Sequence, residues 1–124
     1  MTENHFAEPR PYARAAAERA LGSSDPATVC DALVGVTYHE ADWRWVQGWL
    51  ARLVGHPSPE VRGLVATCFG HLARIHGTLD RVQAEMALAR LATDPDPTVA
   101  RRVGDARDDF EVFLADGTSS RPAS

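Results

Sequence analysis

At 124 residues, with 44% hydrophobic and 24% charged positions, the chain has the composition of a globular protein able to bury a core, which excludes a disordered or fibrous one. The formal charge is −4 and all 13 basic residues are arginine, with no basic stripe, so a role built on phosphate contact and nucleic-acid binding is excluded. No run of 18 apolar residues offers a membrane span, and the polar opening MTENHFAEPRPY lacks the apolar stretch of a signal peptide, which points to a cytoplasmic protein without a membrane partner.

Residues 1–8 read as a disordered N-terminus, 9–115 as a single helical domain, and 116–124 (DGTSSRPAS) as a disordered tail. Within the domain the first helix is expected over 11–21 and a second over 26–37, entered through Asp25 and Pro26 as cap and first-turn proline. Cys30 lies in this second helix. Like Cys68 further on, it sits among apolar neighbours without CxxC spacing, so both read as buried reduced thiols.

The third helix, 41–54, follows the stretch YHEADWRWVQGW, which holds all three tryptophans. On a helical wheel Val46, Leu50, Leu53 and Val54 define an apolar face, with Trp43 on its edge and Trp49 on its flank, so both rings are expected to fill the core. Trp45 points furthest away. It reads either as a ring lying over its own helix beside Arg44 or Arg52, or as an exposed aromatic anchor for a partner.

A fourth helix is expected over 59–76, a fifth over 79–92 and a sixth over 97–114. The phrases LARLVGHPSP and LARLATDPDP write helix, proline turn, helix twice in nearly the same words. Aligning Val29, Val61 and Val99 gives an internal repeat with spacings of 32 and 38 residues. Six helices in three hairpins follow, with no segment showing the alternation of a half-buried strand.

LARLVGHPSPEVRGLVATCFGHLA resembles a HEAT repeat: Val61, Arg62, Val65, Ala66, Cys68, Phe69, Gly70 and Leu72 occupy the places of its second-helix pattern. The resemblance is strongest over 41–76, weaker over 79–114 and weakest over 11–37. It implies an all-α fold, a short right-handed α-solenoid of about three HEAT-like hairpins. Arg107 departs from the pattern where a large apolar residue is wanted, so 97–114 either packs out of full register or is an end repeat with a solvated face. Arg62 is expected to pair with an acid such as Glu60 or with carbonyls of the hairpin turn. The middle of the chain, followed by DARDDFEVFL, also resembles small bacterial HEAT-like proteins, the immunity proteins of contact-dependent or polymorphic toxin systems.

Counting ten residues on from each aligned valine gives His39, His71 and Asp109, and six on gives Gly35, Thr67 and Asp105. In a stacked array such positions share one surface, which would carry His39, Glu40, Thr67, His71, Arg74, Asp105, Asp108 and Asp109. The ladder reads as a solvated face with ion pairs such as Arg74 with Asp109, as a protein-binding surface whose acids face a basic partner, or as a metal or catalytic site.

Local motifs do not favour the third reading. His39-Glu40-Ala41-Asp42-Trp43 is not HExxH, and His71 and His76 point about 140° apart on a helix. Arg101, Arg102 and Arg107 beside four acids make a poor phosphate footprint.

The reading is therefore a non-catalytic protein without metal or cofactor, monomeric rather than dimeric, and built to bind another protein. The resemblance implies an immunity protein that neutralises a cognate toxin domain, a basic nuclease in some systems. Trp45, His39, Glu40, His71, Arg74, Asp105, Asp108 and Asp109 are the candidate contacts. A scaffold or adaptor serving a complex without a toxin is the alternative.

Overall fold

A computed structural model of the protein describes residues 11–114; the expected disordered ends, 1–8 and 116–124, lie outside the described residues. Six helices account for most of the described chain: α1 (Arg14–Leu21), α2 (Pro26–His39), α3 (Trp43–Leu53), α4 (Pro59–His76), α5 (Arg81–Ala92) and α6 (Pro97–Phe113). Among the described residues there is no strand.

The even-numbered helices begin where the proline signals place them, each with proline in its first turn. Asp25 and Asp96 cap α2 and α6, accepting from the backbone N–H of Ala27 and Thr98. The odd-numbered helices start two or three residues later than expected. Asp42 and Asp80 are caps of α3 and α5, accepting from the N–H of Trp45 and Gln83, rather than helical residues. Gly77 ends α4 in the left-handed region at φ 67°, a conformation that favours glycine.

Helices α2, α4 and α6 pack side by side with α4 in the middle, while α1, α3 and α5 fold back on the helices that follow them. The result is an all-α, solenoid-like stack of three hairpins in two layers. Its interior is filled by fully buried Leu33, Leu50, Phe69, Leu72, Leu88 and Phe110, each worth about 1.5–3 kcal/mol of burial. The α4–α6 contact is close because small residues line it. A β-carbon at Gly70 would lie 3.3 Å from the Cα of Ala106 and collide with the Asp109 carboxylate. One at Gly63 would touch Val99 and Arg102 at 3.6–3.8 Å.

Two polar devices lock the hairpins together. Arg62 donates from Nε and Nη2 to both oxygens of Asp94, at 2.7 and 3.1 Å, and from Nη1 to the carbonyls of His56 and Pro57. The expected turn carbonyls are thus among its partners, but the acid is Asp94 of the next hairpin, not Glu60. Gln47, buried in α3, closes two bonds with the backbone of Asp80, accepting from its N–H at 3.0 Å and donating to its carbonyl at 2.8 Å. A buried amide left unpaired there would cost about 1–3 kcal/mol.

Candidate functional site

The repeat places one side of α2, α4 and α6 toward solvent. On α4 this exposed edge runs through Glu60, Leu64, Thr67, His71, Arg74 and Ile75, at the three- and four-residue steps of a single helical face. At its α6 border, Arg102 reaches back to donate to the Thr67 hydroxyl at 3.2 Å. At its α2 border, the Tyr38 ring lies 5.3 Å from the His71 ring.

These contacts correct the register of the expected ladder. Tyr38, not His39, stands beside His71. The prolines that open α2 and α4 are one residue further apart than the aligned valines, so the valine alignment slips the first repeat by one position. A one-residue step turns a helix by about 100°, which carries His39 off the rung. His39 is exposed at the end of α2.

Glu40 caps the same helix and turns away, accepting from Arg14 of α1 at 3.2 Å and from the N–H of Asp42 at 3.0 Å. His39, His71 and Asp109 therefore do not converge. Among the described residues no three His, Cys, Asp or Glu side chains come together as a metal site.

The rung itself is built by three residues. Arg74 donates from Nη2 to the Tyr38 hydroxyl at 3.4 Å and sits 2.6 Å from His71 Nδ1. An arginine has no acceptor, so Nδ1 must be the accepting nitrogen and the ring proton sits on Nε2. Burial lowers the pKa of His71, Arg74 lowers it further, and Asp109 acts in the opposite direction. The expected Arg74–Asp109 ion pair does not form. Asp109 instead lies against Gly70, half-buried, where only a missing β-carbon leaves room for its carboxylate.

Asp105 and Asp108 are exposed on α6. Together with Glu60 and Asp109 they have no ion pair among the described residues. Arg107 and Glu111 belong to another flank, pairing across to Glu85 and Arg81 of α5 at 3.4 and 3.2 Å. Arg107 is solvated, which accords with the second of the two readings of its departure from the repeat pattern.

The tryptophans are placed otherwise than expected. All three are half-buried against the core, and each carries a guanidinium over its ring: Arg44 over Trp43 at 4.5 Å, Arg52 over Trp49 at 4.2 Å, Arg14 over Trp45 at 4.4 Å. Trp43 and Trp49 are thus not fully in the core. Trp45 is not a bare anchor, because α1 supplies the arginine that covers it, and the ring lies on the outer layer rather than on the α2/α4/α6 edge. Cys68 is fully buried, which pushes its thiol up to about 12, whereas Cys30 is only half-buried. The two are not joined by a disulfide.

Fold and edge define a class: a small stack of helical hairpins whose open side carries uncompensated charge, with no helix among the described residues long and apolar enough to cross a membrane. No family model matches the chain, and neither does any curated protein. It is similar, however, to a chain in the crystal structure of a CDI complex from Cupriavidus taiwanensis LMG 19424. The two are 33% identical over 90% of this chain and 96% of that one, with a TM-score of 0.75. At that identity over nearly the whole of both, the chain belongs to the same family as that component of the CDI complex.

Proposed function

We propose that the protein is an immunity protein: it binds a cognate toxin domain in the cytoplasm and blocks it by direct contact, with no chemistry of its own. The observation that carries this reading is the likeness to a chain of a CDI complex along almost its entire length. The hairpin stack, with its recurring helix starts of Pro-x-x-Val at Pro26 and, one residue shorter, Pro-x-Val at Pro59 and Pro97, supports kinship with HEAT-type repeats. The binding surface is the α2/α4/α6 edge. Its uncompensated carboxylates, Glu60, Asp105, Asp108 and Asp109, suit a partner with a basic face, such as a nuclease whose own substrate is anionic. Complementary charge of this kind raises the encounter rate, while a few contacts at the centre set the lifetime of the complex.

The test uses the product of the neighbouring open reading frame as the candidate toxin domain, purified in an inactive form. Nanomolar-to-micromolar binding by titration calorimetry and relief of toxicity on co-expression are the expected results. Asp105→Ala with Asp109→Ala should weaken binding at least about tenfold, mostly by slowing association at low salt. Absence of binding by the unaltered protein would sink the immunity reading. Unchanged affinity of the double variant would sink the acidic-edge mechanism alone.

A further inference from the structure

Among the described residues four arginines reach a carboxylate: Arg14, Arg62, Arg81 and Arg107. Arg44 and Arg52 lie over indole rings. Arg74 does neither. It is exposed on the α2/α4/α6 edge, and its two bonds go to the neutral Tyr38 hydroxyl and the neutral His71 ring. Both bonds use the single nitrogen Nη2, so Nε and Nη1 have no acceptor among the described residues. Asp109, the nearest acid in the register, is held on Gly70 instead.

The guanidinium is therefore oriented but not neutralised. Its surroundings are the half-exposed Tyr38 ring and Ile75, at 38% and 37%. Exposed aromatic and aliphatic surface beside a fixed arginine is the make-up of an interface anchor.

We infer that Tyr38, His71 and Arg74 form a carboxylate-binding pin, and that the partner inserts one acidic group there while its basic groups meet Asp105, Asp108 and Asp109. The pin rests on the proposed toxin-binding role and adds to it a partner chemistry of the opposite sign. With Nη2 taken by Tyr38 and His71, the guanidinium still offers Nε–H and Nη1–H, each able to give a carboxylate a single charge-assisted bond from a fixed position. Phosphate would accept from these donors equally well in isolation, but four uncompensated carboxylates on the same edge disfavour a polyanion. A single acid within a basic patch suits both ends of the surface. The mixed sign also fixes the docking register, since a rotated partner would set like charges against each other.

The experiment measures affinity for the inactive toxin domain by calorimetry. Arg74→Glu is expected to weaken binding about a hundredfold and Arg74→Lys about tenfold, because an ammonium on a flexible stem is not held in place by Tyr38 and His71 while presenting further N–H donors. Tyr38→Phe should have a smaller effect, removing only one of the two bonds that orient the guanidinium. Each toxin Asp or Glu is then amidated in turn and combined with Arg74→Ala. One acid should couple to Arg74 in a double-mutant cycle, whereas coupling lost on extending the toxin's last residue would assign the carboxylate to its C-terminus. Wild-type affinity in Arg74→Glu, or no coupling to any toxin carboxylate, overturns the pin while leaving toxin binding intact. If the unaltered protein fails to bind, the underlying reading fails first. Unchanged melting of the Arg74 variants separates a contact from a folding defect.

Discussion

Helix α4 carries an arginine near each end, and its surroundings treat the two in opposite ways. Near the N-terminus, Arg62 is 17% exposed and grips Asp94, itself 6% exposed, with two bonds while two turn carbonyls take the rest of its fork. Near the C-terminus, Arg74 stands in solvent against a phenol and an imidazole. The first arginine is used up inside the molecule; the second keeps its charge and its Nε and Nη1 donors. The same residue type thus marks a structural joint at one end of the helix and an open contact at the other. What distinguishes them is whether a carboxylate lies within reach.

The sharpest way to break this contrast is to remove each arginine in turn. Arg62→Ala should lower the unfolding free energy by about 2–3 kcal/mol, because it leaves Asp94 half-stripped of solvent and unpaired and frees two hairpin turns. Arg74→Ala should stay within about 0.5 kcal/mol, as expected for a surface side chain. Urea denaturation at neutral pH measures both, and equal losses would abolish the distinction. The joint is also acid-sensitive in a defined direction. Its bonds to Arg62 hold the Asp94 carboxyl below the usual carboxylate range. Its folded pKa is thus below the unfolded one, so the stabilisation is complete above the ordinary carboxylate pKa and lost as pH falls through the folded value.

The helices were legible in the sequence and the partners of the two arginines largely were not, for reasons that are local. Caps and prolines specify helix starts through bonds within four residues, which is why α2, α4 and α6 begin where the sequence places them. The register between hairpins depends on which residue is taken as the repeat mark. The first-turn prolines keep the α2–α4 step that the structure uses, while Val29 and Val61 do not, and Tyr38 was missed in favour of His39. The partner of Arg62 lies 32 residues away and no periodicity announces it. A helical wheel of α3 alone omits α1, so it cannot anticipate Arg14 over Trp45.

A second, smaller effect tests how the open end is shaped. Gly70→Ala would put a methyl group against the Asp109 carboxylate and the Ala106 backbone. The carboxylate can swing aside, but the backbone contact cannot relax without parting α4 from α6. A loss of about 1–2 kcal/mol is expected, less than for Arg62→Ala, since alanine's better helix propensity offsets part of the clash. The displaced carboxylate would also leave the edge, so toxin affinity should fall with it. A variant as stable as the parent would show that the α4–α6 spacing is looser than the contact implies.

The smallest effect is a titration, and it reads the open rung directly. Burial and the adjacent Arg74 both favour the neutral imidazole of His71, so its NMR titration midpoint should lie below the ordinary value of 6.5. Because the folded pKa is below the unfolded one, the rung contributes stability above the ordinary histidine range and loses it as pH falls through the folded value. Protonation removes the Nδ1 acceptor and leaves two cations 2.6 Å apart, so Arg74 must move when the ring charges. Arg74→Ala should raise the midpoint by deleting a like charge, and Asp109→Asn should lower it by deleting an opposite one. The two opposed shifts are the signature of a histidine held between these groups. A midpoint indifferent to both substitutions would mean that the imidazole does not hold the guanidinium in place, and the contrast with the locked end of α4 would lose its geometric basis.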